Sequence, residues 1–232
     1  MTRLHGKTAI VTGASRGIGR AIAVHFAAAG ARVGLMARTV PALDKVAAEI
    51  RAGGGIAFAA ACDVADPAQV ERAAAELRAA LGPIDLVVNN AGAVLRKAAF
   101  AITDDEWRRV VAVNLDGTFY VTRAFGADLI ARGGRVINIA SIAGRQGTPF
   151  LSAYCAAKHA VVGLTRALAE ELRGAKVAVN AICPGSVDTP MLQEGLPGAD
   201  PDMTPDDIAR TALFLAADAP VALTGACIDV FG

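Results

Sequence analysis

The sequence predicts an α/β fold, a single domain with a doubly wound parallel sheet of about seven strands and helices on both faces. Two observations predict it. Short, almost continuously apolar runs alternate with longer alanine-rich amphipathic segments along the 232 residues, and no linker or repeat divides them. Parallel strands that are buried on both faces are apolar throughout, and each needs a helical crossover to reach the next strand.

The strands are predicted from apolar, β-branched runs between turn residues. They are Thr8–Val11, Arg32–Met36, Ile56–Ala60, Leu86–Val88, Arg135–Ile139, Val177–Ile182 and Ala226–Val230. Capping residues predict where helices begin, because a side-chain oxygen there accepts from a free backbone N–H. Asp66 precedes Pro67, Thr103 lies three residues before Glu106, and Thr204 precedes Pro205 and Asp207. Longer helical patterns cover Trp107–Leu129 and Ser152–Leu172.

Composition and charge narrow the function. The chain is 54% hydrophobic and carries 23 basic against 22 acidic residues, a formal net charge of +1. This balance gives no electrostatic reason to expect a nucleic acid or an anionic membrane as partner. The segment from Met1 to Lys7 is too short for a signal peptide, and no apolar run is long enough to span a membrane, so we expect a cytoplasmic protein. The four cysteines lack CxxC spacing and the three histidines do not cluster, so no metal site is expected.

A glycine-rich turn follows the first predicted strand. It reads Thr12-Gly13-Ala14-Ser15-Arg16-Gly17-Ile18-Gly19, and a helix is predicted from about Arg20. Gly13 permits a tight turn, while Gly17 and Gly19 let the backbone approach a ligand and let the helix pack on the strand. The helix start offers N–H groups and a positive dipole end to a pyrophosphate. A Rossmann-type dinucleotide site is therefore predicted, although such turns also simply join strands to helices.

The end of the second strand indicates which dinucleotide binds. NAD sites usually place an acid there, about 20 residues past the glycines, to bind the ribose 2′-hydroxyl. This chain has Ala37 and Arg38 instead, and the next acid is Asp44. A guanidinium suits a 2′-phosphate, and Arg16 in the glycine turn could supply a second one. NADP(H) is therefore predicted over NAD(H); the alternative is that both arginines are solvated surface residues.

Several motifs, in order and at consistent spacing, resemble those of the classical short-chain dehydrogenase/reductase family. They are the Thr12–Gly19 turn, Asp63-Val64, Asn89-Asn90-Ala91-Gly92, Asn114, Ser141, Tyr154-x-x-x-Lys158, and Pro184-Gly185 leading to Thr189. Within that family the chain is most similar to 3-oxoacyl-[acyl-carrier-protein] reductases. The resemblance implies an NADP(H)-dependent oxidoreductase that interconverts a carbonyl and a secondary alcohol, with a 3-oxoacyl thioester or another small ketone as substrate.

Tyr154 and Lys158 are four residues apart in a predicted helix, so they project from one face. Carbonyl reduction needs a proton donor beside the oxygen, and tyrosine with a pKa of ~10 exchanges its proton poorly at neutral pH. We expect the Lys158 ammonium to lower the pKa of Tyr154. In an arbitrary sequence the same spacing usually marks only a surface pair, and the surrounding motifs favour the catalytic interpretation.

Ser141 follows a strand, thirteen residues before Tyr154, where its hydroxyl could donate to the developing alkoxide. The resemblance implies that Asn114 holds a water joining Lys158 to solvent. It also implies the cofactor contacts: Asp63 and Val64 at the adenine, Asn90, Ala91 and Gly92 at the ribose, and Val187 and Thr189 at the nicotinamide carboxamide. Pro184 and Gly185 end a strand, so the chain there must loop across the cofactor site.

The segment from Thr189 to Thr204, about residues 190–204, is predicted to select the substrate. It contains Gly195, Pro197 and Gly198, so we expect little helix and a relatively open pocket. Arg96 and Lys97 could attract an anionic substrate, although such residues are more often solvated.

Small residues on the Tyr154 helix favour a homo-oligomer, a tetramer or a dimer, although packing within the subunit would also explain them. They are Ala153, Ala156, Ala157, Ala160, Gly163 and Ala167. The chief rival function is a non-catalytic NADP-binding sensor or scaffold. It would tolerate loss of Ser141, Tyr154 or Lys158, and all three are present.

Overall fold

A computed structural model describes residues 3–232, so Met1 and Thr2 of the predicted domain lie outside the described residues. It contains one seven-stranded sheet in which every adjacent pair of strands is parallel. The strands are β1 (Thr8–Thr12), β2 (Arg32–Ala37), β3 (Ile56–Ala61), β4 (Leu86–Asn89), β5 (Arg135–Ile139), β6 (Ala178–Pro184) and β7 (Cys227–Val230). The predicted fold class is confirmed, and each predicted strand matches an observed one to within two residues at either end.

Nine α-helices are described between and after the strands. They are α1 (Gly17–Ala28), α2 (Val40–Ala52), α3 (Pro67–Leu81), α4 (Asp104–Val111), α5 (Gly117–Ala124), α6 (Gly126–Arg132), α7 (Ser152–Glu171), α8 (Pro190–Gly195) and α9 (Pro205–Ala217). Short 3₁₀ turns cover Ala99–Ala101, Ile142–Gly144 and Arg173–Ala175. Within residues 3–232, no helix combines the length and the apolarity that crossing a membrane requires.

The helices form two layers, one on each face of the sheet. On one face, α1, α2 and α9 pack on the strands through buried residues such as Phe26, Leu43 and Leu215. On the other face, α3, α5, α6 and part of α7 cover the sheet, and Leu77 and Phe125 are fully buried. Because both faces are covered, the central strands β1 and β4 are buried at every position.

The strand order is β3-β2-β1-β4-β5-β6-β7. The winding direction reverses between β1 and β4, and a crevice opens at such a point beyond the carboxyl ends of the strands. The segments that follow β1, β4, β5 and β6 all begin at this edge, and each carries one of the predicted motifs. The topology therefore gathers motifs that are far apart in sequence.

The predicted helix starts agree with the structure at three caps. The Asp66 side chain accepts from Ala68 and Gln69 N–H groups, and Thr103 and Thr204 each form a reciprocal capping box with the acid three residues later. The first helix differs from the prediction, because it begins at Gly17 rather than near Arg20. Glycine is a poor helix former in isolation, and here tight packing of the turn overrides that preference.

The helical pattern Trp107–Leu129 is interrupted in the structure. A π-helical segment, Ala112–Asp116, separates α4 from α5, and α6 follows after Phe125. A π segment inserts one residue into the helical repeat and often marks a functional position. Its centre is Asn114.

Candidate active site

The glycine turn after β1 is packed so closely that two of its three glycines, Gly13 and Gly19, have no room for a side chain. Gly13 has φ of +63°, and a Cβ placed on it would lie 2.8 Å from Asn90 Nδ2. A Cβ on Gly19 would lie 2.4 Å from both Asn90 Nδ2 and the Gly13 carbonyl oxygen. Asn90 Nδ2 in turn donates to the carbonyls of Thr12 (3.0 Å) and Gly13 (3.3 Å). The end of β4 thus fixes the turn, and the turn fixes the start of α1.

The N-terminus of α1 is free to bind an anion. Its N-cap residue Arg16 makes no side-chain capping bond, and the first turn contains no acidic residue. Unpaired N–H groups and the positive end of the helix dipole therefore point toward the crevice. Arg16 itself lies 3.6 Å from Glu194 of α8, and both side chains are more than half exposed, so this ion pair contributes little.

A cavity of about 590 Å³ follows the carboxyl edge of the sheet. It is lined by nearly all the predicted site residues: Gly13, Ser15, Arg16, Gly17, Ile18, Arg38, Asp63, Val64, Asn90, Ala91, Gly92, Ser141, Tyr154, Lys158, Pro184, Gly185, Val187 and Thr189. Two predicted residues, Gly19 and Asn114, lie behind its wall. The structure thus brings the dinucleotide motif and the candidate catalytic residues into one cavity.

One end of the cavity is suited to an adenosine whose ribose carries a 2′-phosphate. Arg38 and Thr39 lie at the end of β2, and no acidic side chain in the described part of the chain is paired with Arg38. Asp63 lies beyond β3, where its carboxylate accepts from the Ala65 N–H and pairs with Arg109 of α4 at 3.1 Å. Arg109 thereby holds in place the carboxylate that was expected to meet adenine.

The other end of the cavity holds Ser141, Tyr154 and Lys158. Lys158 and Tyr154 are buried on one face of α7, with Lys158 Nζ 5.7 Å from the centre of the Tyr154 ring. Lys158 Nζ donates to the Ile139 carbonyl at 2.8 Å, which ties it to the end of β5. Ser141 Oγ accepts from the Ala143 N–H at 3.1 Å, and its hydroxyl also interacts with Tyr154, so the two hydroxyl groups lie side by side at the cavity.

The pKa values of this pair differ from the sequence-based expectation. Burial raises the pKa of Tyr154 to about 12, and the Ser141 hydroxyl offsets only part of that rise. Burial also lowers the pKa of Lys158 to about 8. The pKa of Tyr154 was expected to be lowered by Lys158, and its net shift is upward instead, because burial disfavours the phenolate and Lys158 is not among the groups that shift it. Tyr154 is therefore protonated at neutral pH, the form that a proton donor requires.

Asn114 is completely buried in the π segment. Its amide nitrogen donates to the carbonyls of Ala93 (2.7 Å) and Val110 (2.9 Å), while its Oδ1 has no hydrogen-bond partner among the described residues. A Cβ placed on Gly92 would lie 3.0 Å from Oδ1 and 3.8 Å from Lys158 Nζ. The Asn114 amide thus lies just behind the cavity wall near Lys158, and its Oδ1 can still accept a hydrogen bond.

A buried polar network connects α7 to the sheet beneath the site. Asn89 Nδ2 donates to Asn138 Oδ1 and to Thr122 Oγ1, and Asn138 Nδ2 donates to Thr165 Oγ1, each at 2.9 Å. These bonds connect β4, β5, α5 and α7 through groups that would be costly to leave unpaired. They fix the helix that carries Tyr154 and Lys158 relative to the strand that precedes Ser141.

The segment after β6 covers the cavity with a short helix. Little helix was expected here, and α8 is indeed only six residues long. The expected open pocket is not observed at its end, because a Cβ on Gly195 would lie 3.0 Å from Val94 on the opposite wall. Thr189 caps α8 by accepting from the Leu192 N–H. The segment therefore reaches across the cavity to the loop that follows β4.

The site has the features that a dinucleotide requires. Glycine packing closes the turn, α1 presents free N–H groups, and the 590 Å³ cavity runs from Arg38 to Tyr154. Within the described part of the chain, no group of three His, Cys, Asp or Glu residues is placed to hold a metal ion.

Comparison with known proteins agrees with this geometry. Residues 7–198 match the family model for short chain dehydrogenases, which is well over half of the chain. The chain belongs to the short-chain dehydrogenase family. It is accordingly an oxidoreductase of the class that acts on CH–OH and carbonyl groups.

Relatives within the short-chain dehydrogenase family cover nearly the whole chain. A galactitol 2-dehydrogenase (L-tagatose-forming) of Cereibacter sphaeroides is 42% identical over 99% of this chain and 95% of its own. A 3-oxoacyl-[acyl-carrier-protein] reductase of a Synechocystis species is 38% identical over 100% and 98%. A solved structure from Beutenbergia cavernae, assigned as an NAD(P)-dependent gluconate 5-dehydrogenase and containing NADP at low occupancy, is 43% identical with a TM-score of 0.91, covering 97% and 95%.

Some residues that line the cavity of this short-chain dehydrogenase were not predicted. Arg109 lies in a strongly amphipathic, charged helix, where its pairing with Asp63 depends on tertiary structure and left no local signal. Thr39 directly follows Arg38, and Ser186 directly follows Gly185, so both could have been predicted from their neighbours. Cys62 precedes Asp63, and burial raises its pKa to about 11, which makes it an unreactive wall residue.

Proposed function

We propose that this protein is an NADP(H)-dependent oxidoreductase that interconverts a carbonyl and a secondary alcohol by hydride transfer, with Tyr154 as the acid and base. The observation that carries the proposal is that Ser141, Tyr154 and Lys158 line the same cavity as the glycine turn and Arg38. The substrate is a small ketone or a 3-oxoacyl thioester, and a 3-oxoacyl-[acyl-carrier-protein] reductase is among the relatives.

Protein side chains supply the proton and stabilise the oxygen. A reduced nicotinamide, when bound, would provide the hydride. Tyr154, protonated at neutral pH, donates its proton to the carbonyl oxygen as negative charge develops there. The Ser141 hydroxyl, whose oxygen is already held by the Ala143 N–H, donates a hydrogen bond to the same oxygen.

Lys158 and Asn114 help to return a proton to Tyr154 after it has donated its own. With a pKa of about 8, Lys158 is mostly an ammonium at neutral pH but gives up a proton readily. Its charge stabilises the phenolate that Tyr154 becomes after donating. The unpaired Asn114 Oδ1 lies close enough to this region to hold a water that links Lys158 to solvent. Asn114 is thus proposed as a positioning residue, and the other three as catalytic residues.

The chain's residues favour NADP(H) over NAD(H). Arg38 and Arg16 both line the nucleotide end of the cavity, and β2 ends in Ala37 without an acid that would repel a 2′-phosphate. The remaining contacts are proposed as the resemblance implies: Asp63 and Val64 at adenine, Asn90, Ala91 and Gly92 at ribose, and Pro184, Gly185, Val187 and Thr189 at the nicotinamide.

A direct test of the proposed function follows NADPH absorbance with a panel of ketones and 3-oxoacyl thioesters and repeats the measurement with NADH. Absence of turnover with every substrate would contradict the proposal.

Replacing Arg38 with alanine is expected to weaken NADPH binding about 30-fold and NADH binding less than about threefold, since only NADPH loses a charge-assisted pair. Fluorescence titration of both reduced cofactors measures the two dissociation constants. Arg108→Ala is the matched control, because Arg108 is exposed and pairs only with acids of its own helix. Equal losses for NADPH and NADH in the Arg38 variant would refute the 2′-phosphate assignment.

We also propose a homo-oligomer, a tetramer or a dimer, built in part on α7. Of its small residues, Ala153 and Ala157 are buried within the subunit, which accounts for them without a partner. Ala156, Gly163 and Ala167 are exposed and remain available for close contact with a second copy. Sedimentation at micromolar concentration is expected to show a single species larger than the monomer. A monomer throughout would contradict this proposal.

A further inference from the structure

We propose that the substrate is an uncharged ketone, or the corresponding alcohol, without hydroxyl or carboxylate groups beside the reacting carbon, rather than a polyol or sugar acid. This rests on the proposed function and concerns the same cavity. It is carried by the chemistry of the walls around Tyr154. Apolar side chains line the cavity, and two of them, Val94 and Leu151, pack in one cluster with Tyr154; the set is Val94, Ile142, Leu151, Met191, Leu192 and Leu196.

The helix α8 presents its apolar residues to the cavity and its polar residues elsewhere. Met191, Leu192 and Leu196 line the cavity, whereas Gln193 and Glu194 do not. The Gln193 amide is occupied by the Ala199 carbonyl and the Gly198 N–H, each at 3.2 Å, and Glu194 faces Arg16. The polar groups of this segment are therefore engaged outside the cavity.

Met191 lies in the cavity wall near Gly92 and Lys158. A Cβ placed on Gly92 would lie 3.6 Å from Met191 Cε and 3.8 Å from Lys158 Nζ. The Met191 methyl group and the Lys158 ammonium thus lie near the same stretch of wall. On the Met191 side that wall offers a substrate a methyl group and no hydrogen-bonding side chain.

The polar side chains at this end are few and mostly occupied. Ser141 and Tyr154 are needed for the carbonyl oxygen, and the Thr189 hydroxyl bonds to the Val187 carbonyl and the Leu192 N–H. Of the other hydroxyls that line the cavity, those of Ser15 and Thr39 follow β1 and β2 at the nucleotide end, which leaves Thr148 and Ser186 at this end among the described residues. A keto-hexose carries several more hydroxyls than these two could satisfy, and buried polar groups without partners are costly.

No cation at this end is placed to hold a substrate carboxylate. Four basic residues line the cavity within the described chain. Arg16, Arg38 and Arg109 lie at the nucleotide end, and Lys158 donates to the Ile139 carbonyl beside Tyr154. The two basic residues that were candidates for attracting an anion are engaged outside the cavity. Arg96 stacks on the Phe150 ring at 4.9 Å, and Lys97 pairs with Glu106 at 2.7 Å.

The test compares 2-hexanone with L-tagatose, which has the same carbon skeleton, and with 5-ketogluconate, which adds a carboxylate. An apolar pocket discriminates against one added hydroxyl by about 100-fold at most, so several hydroxyls should give at least that ratio in kcat/KM. We expect 2-hexanone to exceed both sugars by about 100-fold or more.

The outcomes separate the inference from the proposed function. A preference for either sugar, or a ratio of kcat/KM values below about tenfold, would overturn the inference but not the proposed oxidoreductase activity. Absence of turnover with all three ketones and also with the 3-oxoacyl thioesters, while NADPH still binds, would overturn the proposed function and the inference with it.

A variant tests the role of the apolar wall directly. Met191→Gln keeps the length of the side chain and adds an amide, so kcat/KM for 2-hexanone should fall about tenfold while that for L-tagatose does not fall. Ile130→Gln, an equivalent change at an exposed position of α6, should leave both values unchanged. An unaltered ratio in Met191→Gln would contradict the assignment of selectivity to this wall.

Discussion

Replacing Tyr154 with phenylalanine is expected to lower kcat by about 1,000-fold or more, because general acid catalysis contributes up to about four orders of magnitude. The substitution removes one hydroxyl from a side chain that is 9% exposed and leaves its ring packing in the cavity wall intact. The dissociation constant for NADPH should therefore change little. Steady-state rates with the best ketone, together with fluorescence titration of NADPH, measure both quantities.

The chain supplies a matched control for this variant. Tyr120 is its other tyrosine, and it lies in α5 against Phe119 and Arg123, away from the cavity. Tyr120→Phe should retain wild-type kcat. If Tyr154→Phe kept more than about a tenth of the wild-type rate, another group would have to supply the proton, and the assignment of Tyr154 as acid would be wrong.

Adding a methyl group at Gly19 is expected to have the largest effect on structure. In Gly19→Ala the new Cβ would lie 2.4 Å from the Gly13 carbonyl and from Asn90 Nδ2, and backbone on one side cannot move without opening the turn. We expect a loss of about 3 kcal/mol in the free energy of unfolding, typical of severe overpacking. For a chain of this size that corresponds to a fall in Tm of about 10 °C. NADPH affinity should fall as well, because the turn leads into α1.

Gly126→Ala serves as the comparison for Gly19→Ala. Gly126 is the first residue of α6, and a Cβ there would meet nothing within 4 Å. Its Tm should equal or slightly exceed that of the wild type, since alanine favours a helix by about 1 kcal/mol over glycine. Calorimetry gives both values. A Gly19→Ala protein with wild-type Tm and wild-type NADPH affinity would show that the turn is looser than its packing indicates.

The sheet could be predicted from the sequence because its signals are local. Strand β3 is an uninterrupted apolar run and β4 is apolar up to its last residue, and the caps Asp66, Thr103 and Thr204 act on N–H groups within three residues of themselves. The cavity followed from the topology, since strands wound in both directions from β1 bring their carboxyl ends to one edge. Local rules and one topological rule therefore accounted for most of the fold and for the place of the site, whereas many of the proposed site residues, such as Asn114 and Asp63, came from the family resemblance.

Features that depend on tertiary packing could not be predicted from the sequence. The π segment at Asn114 breaks a pattern that reads as continuous helix, and Arg109 binds Asp63 across 46 residues of chain. The pKa of Tyr154 was expected to fall but rises, because desolvation depends on how completely neighbouring elements exclude water. The contact between Gly195 and Val94 likewise joins two loops that share no sequence signal.

The central claim is that Tyr154 and Ser141 act together on one substrate oxygen beside a bound nicotinamide. A crystal structure of the protein with NADP(H) and a ketone or alcohol tests it most directly. We expect the substrate oxygen to lie within about 3.2 Å of both hydroxyl groups. A well-ordered ternary complex in which that oxygen contacts neither hydroxyl would contradict it.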